Sequence, residues 1–357
     1  MTEGAIDSPR ADPATALPFE VAFLNEARLP ALVRPVGPGP QGAEAVADLL
    51  ARDDVHRLLQ QHGAVLFRGF DLPGEAAFTE IVARHYGAQV SAYIGGVSPR
   101  KTVHEGQIYE STKVPAHLRI HQHNEMAYLR RAPRDLLLFC ERPSPIGGET
   151  PLTDCRRLLA EVPKEVRDTF VARGLYYQQH FYGRGFPFWT VGIHLLFVRL
   201  HRSWRKTFNT TRREEVERHG KALGVAMRWL WDGSLKVTCR RPPTARHPDS
   251  GEEVWFNQAC TLNVTPYGYG WPKSLGYLLL YPFPGYQPFH VSFADRRRIP
   301  WRYLRQIQEA TDKLTVTFPW QKGDLLWLDN FLVAHGRMPY QGPRRLLVAI
   351  GPMAVSA

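Results

Sequence analysis

The chain has 357 residues, 44% of them hydrophobic and 22% charged, with a formal net charge of +11 at pH 7. That length and apolar content support a substantial core, in one large domain or two ordinary ones, and exclude a disordered chain or a small disulfide scaffold. The excess of 45 Lys and Arg over 34 Asp and Glu suits nucleic acid, small anions or an acidic protein partner, but the bases are scattered and no nucleic-acid motif accompanies them.

Residues 1 to about 18 are rich in Pro, Ala and Asp without apolar period and read as a mobile tail. Their acids stand where a signal peptide needs an apolar stretch, and no run approaches the roughly 18 apolar residues of a membrane span. A cytoplasmic protein is expected. AEAVADLLARDDVHRLLQQHG has helical spacing that closes on Gly63, and AVLFRGF follows as a short buried strand. A second helix, about Gly74 to Tyr86, precedes the Gly-containing loop SAYIGGVSPRK.

The middle of the chain reads as strands: HLRIHQHNEMAY, DLLLFCER and, after the turn PSPIGG, the ETPLTD segment. DCRRLLAEVPKEVRDTFVARG predicts two short helices separated near Pro163. Residues 176 to about 260 mix aromatics with bases and read as an elaboration or lid over the core, partly helical in SWRKTFNTTRREEVERHGKALG. A helix from about Trp301 to Leu314 and the strands KLTVTFP, DLLWLDN and RRLLVAIG complete the series. No internal repeat divides the chain, so residues 19–357 are expected to form one α+β domain. Cys140, Cys155, Cys239 and Cys260 show no CxxC or zinc-ribbon spacing and read as reduced thiols.

Chemistry concentrates in HQHNEMAY, residues 121 to 128. On a strand, side chains at 121, 123 and 125 share a face, so His123 and Glu125 would aim at one point. Downstream, LLWLDNFLVAHGRMPYQGPRR delivers His335 after an apolar strand. Two imidazoles and a carboxylate on one face of a metal, with other positions open, suit non-heme iron(II) and oxygen chemistry. An anionic co-substrate then needs an anchor. Arg344 or Arg345, at the head of the strand LLVAI, can grip a carboxylate with a two-pronged hydrogen bond; strand alternation points one inward and the other out. Thr150 of GGET could donate a further hydrogen bond. Taken singly, GGET is also an ordinary turn and the Arg pair a solvated strand edge.

The runs STKVPAHLRIHQHNEMAYLRRAPRDLLLFCERPSPIGGETPLTD, GEEVWFNQA and DNFLVAHGRMPYQGPRRLLVAIG resemble the iron(II)/2-oxoglutarate-dependent oxygenases of the taurine dioxygenase and clavaminate synthase group. Within it they are similar to members of bacterial natural-product pathways, such as the syringomycin-pathway aspartyl hydroxylase. The resemblance spans about residues 50 to 352. It implies a double-stranded β-helix, or jelly-roll, with flanking helices. It further implies His123, Glu125 and His335 as ligands of Fe(II), and Thr150 with Arg344, or alternatively Arg345, as 2-oxoglutarate contacts, with O2 as oxidant. Glu125 stands where many relatives carry Asp, as in clavaminate synthase, and a carboxylate there disfavours halogenating chemistry. The implied reaction is hydroxylation, desaturation or cyclisation of a small amino-acid-like substrate, free or tethered to an acidic carrier protein, in secondary metabolism such as antibiotic biosynthesis.

Arg119, His121 and Asn257 are candidate substrate contacts. An ion pair for Arg119, a role behind the metal ligands for His121, and core packing for the Trp255-Phe256-Asn257 stretch are the competing readings. FYGRGFPFWT, residues 181 to 190, suits a lid or an inert loop. A structural zinc protein and a non-catalytic binding module are the alternatives from other classes; structural zinc sites favour Cys and leave no open position.

Overall fold

The computed structural model describes residues 19–37, 41–91, 102–104, 108–111, 114–183 and 201–356. The expected tail over 1–18, nearly all of the SAYIGGVSPRK loop and most of the 181–190 aromatic run lie outside the described residues.

Helices and strands are mixed, as an α+β reading requires. An eight-stranded sheet runs in the order Phe19–Phe23, Ala31–Pro35, Ala64–Phe67, Leu325–Asp329, Asp135–Arg142, Arg345–Ile350, Ile108–Glu110, Thr102–His104. Its pairs are antiparallel except Ala31–Pro35 with Ala64–Phe67. Strand alternation divides its central side chains cleanly. Leu137, Phe139, Leu325, Trp327, Leu347 and Ala349 pack beneath the helices Ala43–Leu50, Asp53–His62 and Glu75–Tyr86. Leu136, Leu138, Leu326, Leu328, Leu346 and Val348 face the other way, against Leu152, Val333 and Ala334 of a second sheet.

That second sheet has three strands, in the order Leu152–Asp154, Val333–Arg337, Ile120–His123. It carries the candidate site. Its central strand bulges between His335 and Arg337. Gly336 allows this, because a Cβ there would stand 2.3 Å from the Ile120 carbonyl oxygen.

A further four-stranded sheet, in the order Ala226–Trp229, Leu235–Arg241, Leu175–Phe181, Phe289–Phe293, lies within the elaborated region and just beyond it. The helix Trp301–Leu314 shares a core with it through Tyr303, Leu304 and Ile307 against Val291 and Phe293. No described helix is long and apolar enough to cross a membrane.

Three local expectations are corrected. The helical stretch before Gly63 is two helices, broken at Ala51 and Arg52, where Asp53 and Asp54 open a new first turn and favour its positive end. Gly63 does close the second one, at φ 76°, and Val333 Cγ2 would lie 2.4 Å from any Cβ on it. KLTVTFP forms only an isolated bridge, Leu152 with Val316, because its first residues end the preceding helix. The strand through HQHNEMAY stops at His123, and the next residues turn.

Candidate metal centre

His123 and His335 are direct cross-strand partners in the second sheet. Sheet geometry alone therefore makes their rings neighbours, with centroids 4.9 Å apart and planes inclined by 37°. Glu125 reaches them from the turn after His123, where Met126 takes φ 56°. A ligand atom from each of the three residues lies within 4.8 Å of the others. His335 and Glu125 are buried.

The donor set fits a divalent metal. His123 Nδ1 sits 2.9 Å from the His121 carbonyl oxygen, so Nδ1 donates there and Nε2 keeps its lone pair for a cation. A carboxylate taken out of water beside two imidazoles is costly, and a bound divalent cation offsets that cost. Three donors leave coordination positions for other molecules, as a closed structural site does not.

Thr150 is 1% exposed and precedes the strand whose Leu152 pairs with His335. Its hydroxyl oxygen accepts from Trp320 Nε1 at 3.0 Å, which leaves the hydroxyl proton to donate elsewhere. The two candidate arginines diverge. Arg345 is bound to Glu141 and to Glu75 at 2.8 Å, and these bonds raise its pKa. Arg344 donates to the Gly148 carbonyl at 3.1 Å and to Ser111 Oγ at 3.3 Å. Burial, then nearby Arg337, pushes its pKa down to about 10, and among the described residues no carboxylate lies within ion-pair distance of it.

Each of the three substrate candidates has partners within the chain. Arg119 bonds Asp312 at 2.8 Å and Gln122 at 3.1 Å, a structural pair. His121 Nε2 lies 3.3 Å from the Gly268 carbonyl oxygen, and burial, followed by Arg119, lowers its pKa. Asn257 donates to the Pro243 carbonyl at 2.8 Å and accepts from the Ala259 amide at 3.0 Å. Trp255 and Phe256 beside it are core residues, and Phe256 stacks on Phe331 at 4.6 Å.

Three residues near the site were not singled out in the sequence. Trp320 holds the Thr150 hydroxyl. Arg337 donates to the carbonyls of Val114, Pro115 and Leu118 at 2.7–2.9 Å, pinning the segment before the His123 strand. Asn330, fully buried, bonds both backbone groups of Glu125. No local pattern in the sequence marks any of the three, and only their distant partners distinguish them.

Residues 32–350 match the family described as Taurine catabolism dioxygenase TauD, TfdA family. The chain is 31% identical over 318 residues to the dapdiamide synthesis protein DdaC of Enterobacter agglomerans, covering 88% of this chain and 89% of that one. It is 30% identical over 299 residues to the clavaminate synthase-like protein At3g21360 of Arabidopsis thaliana, covering 82% of each. Among solved structures, PvcB from Pseudomonas aeruginosa shares the fold at 14% identity and TM-score 0.53, over 98% of this chain and 95% of that one. AAD-2 in complex with Mn(II) and N-oxalylglycine does so at 10% identity and TM-score 0.53, over 96% and 100%. The chain belongs to the TauD/TfdA dioxygenase family. It is an oxidoreductase dependent on Fe(II), 2-oxoglutarate and O2.

Proposed function

We propose that His123, Glu125 and His335 hold Fe(II), and that Arg344 with Thr150 grips the far carboxylate of 2-oxoglutarate. The observation that carries this reading is the convergence of the three donors within 4.8 Å, with Arg344 bonded to the Gly148 carbonyl two residues before Thr150. When bound, iron with 2-oxoglutarate and O2 supplies the power to remove hydrogen from an unactivated C–H bond, releasing succinate and carbon dioxide. The chain's own part is to keep His123 in the Nε2-ligating tautomer, to hold the co-substrate by a partly buried guanidinium and an oriented hydroxyl, and to exclude water by the apolar wall between the sheets.

The two sheets are read as the walls of a double-stranded β-helix within one oxygenase domain, with residues around 176–260 inserted over it. The substrate is read as an amino acid or amino-acid-derived unit, hydroxylated in secondary metabolism; kinship with a dapdiamide synthesis protein favours this. Desaturation or cyclisation by the same chemistry is the second outcome. A net charge of +11 suits an acidic carrier protein bearing that unit, in a cytoplasmic setting. Succinate release tests the choice. Turnover with a carrier-loaded amino acid and none with free amino acids assigns the tethered substrate; the reverse assigns the free one. Substrate-stimulated succinate from neither rejects the substrate class.

A further inference from the structure

We propose that Asn330 is the positioning residue for the carboxylate ligand, held in turn by Asp329 and His247; this rests on the iron-site reading above. The ligand-bearing strand ends at His123, so Glu125 lies beyond the ladder that would otherwise fix its backbone. A glutamate has a long side chain, and its carboxylate is placed only if its backbone is. Asn330 takes over the task of a neighbouring strand. Its Oδ1 accepts the Glu125 amide proton at 2.6 Å, while Nδ2 donates to the Glu125 carbonyl at 3.0 Å and to the Pro133 carbonyl at 2.8 Å. One donor and two acceptors around the side chain fix which end of the amide is oxygen.

Asn330 is itself anchored on all sides. Its carbonyl accepts from Asn124 Nδ2 at 2.7 Å, and its amide donates to the Arg134 carbonyl at 2.9 Å. The preceding Asp329 accepts the amide protons of Phe331 and Leu332 on Oδ1 at 2.8 and 2.9 Å. Its Oδ2 accepts from His247 Nε2 at 2.8 Å. The Ser250 amide donates to His247 Nδ1 at 3.1 Å, which puts the imidazole proton on Nε2, facing the aspartate. Asp329, Asn330 and His247 are all buried. Hydrogen bonds thus tie His247 to Asp329 and Asn330 to the backbone of Glu125, with the Asp329–Asn330 peptide bond joining the two, and none of His247, Asp329 and Asn330 belongs to the donor cluster.

The test is Mn(II) affinity of the metal-free full-length protein by calorimetry, with thermal midpoints recorded in parallel. Wild type, Asn330→Ala, His247→Gln, Glu125→Ala and the two double variants with Glu125→Ala are compared. Asn330→Ala is expected to weaken Mn(II) binding by about 10- to 100-fold, and His247→Gln to weaken it less. Neither is expected to weaken it further once Glu125 is alanine, since both act through that ligand. Wild-type Mn(II) affinity in a folded Asn330→Ala protein overturns the proposal. Should that variant not fold, unchanged affinity in His247→Gln overturns it, as does a loss that persists in full without Glu125. Wild-type binding that Glu125→Ala weakens upholds the iron site independently. A wild type that binds no Mn(II) overturns the iron site and this inference together.

Discussion

Arg344 and Arg345, neighbours in the chain, take entirely different partners. Arg345 meets Glu75 of the outer helix at 2.8 Å, whereas Arg344 lies against Gly148 and Ser111. Arg345 opens the strand and Arg344 precedes it, and the carboxylates of Glu75 and Glu141 decide which arginine is consumed by structure. The partly buried guanidinium without a carboxylate partner among the described residues is the one suited to an incoming anion.

Replacing Arg344 by Gln is therefore expected to raise the KM for 2-oxoglutarate by roughly 10- to 100-fold, the loss of a charge-assisted pair worth about 1.5–3 kcal/mol. Arg345→Gln is expected to lower the thermal midpoint and leave that KM nearly unchanged. Steady-state kinetics with 2-oxoglutarate varied, beside thermal denaturation of both variants, checks the split. A KM effect confined to Arg345→Gln would reverse the assignment.

Trp320 offers a subtler test. Its indole N–H directs the Thr150 hydroxyl, and Phe keeps the ring without the donor. Trp320→Phe is expected to raise the same KM by several-fold, in line with about 1 kcal/mol for one neutral hydrogen bond, without altering Mn(II) affinity. Unchanged KM would remove Thr150 from the co-substrate site.

Much of this arrangement is legible in the chain. The continuous apolar runs of DLLLFCER and DLLWLDN predict buried strands and form them. Pro163 separates two helices where its fixed backbone predicts a break. The spacing His123-x-Glu125 does bring two donors together, though for a reason that strand periodicity does not contain. The strand ends between them, and Asn330, more than 200 residues away, sets the turn. Likewise, alternation says that Arg344 and Arg345 must diverge, but only the location of Glu75 and Glu141 says which is free for a ligand. Long-range partners of single polar residues leave no local pattern to read.

Stability should fall with acid. Burial pushes His85, His180 and His290 each down to about 4. A histidine whose folded pKa is depressed adds stability that is present above its usual value near 6.5 and lost as pH falls through 4. Asp135 acts in the opposite sense. Burial outweighs its bonds from Trp327 and Tyr86 and raises it to about 6, so its contribution is present at the acid end and lost as pH rises from about 4 to 6. Three histidines against one aspartate leave a net loss on acidification between pH 6.5 and 4, at roughly 1.4 kcal/mol per pH unit for each net proton taken up. Urea midpoints from pH 7.5 to 4.5 should decline, and less steeply in His180→Gln. A flat profile would contradict the burial of these imidazoles.

The reading of His123, Glu125 and His335 as the iron site of a 2-oxoglutarate-dependent oxygenase stands or falls on metal binding at these three residues. An anaerobic titration of the metal-free protein with Fe(II) and 2-oxoglutarate, beside His123→Ala, tests it most directly through the weak visible charge-transfer absorption of the chelate. A saturable band is expected in the wild type, lost in the variant while the fold is kept. No band in the wild type, or one that survives His123→Ala unchanged, would contradict it.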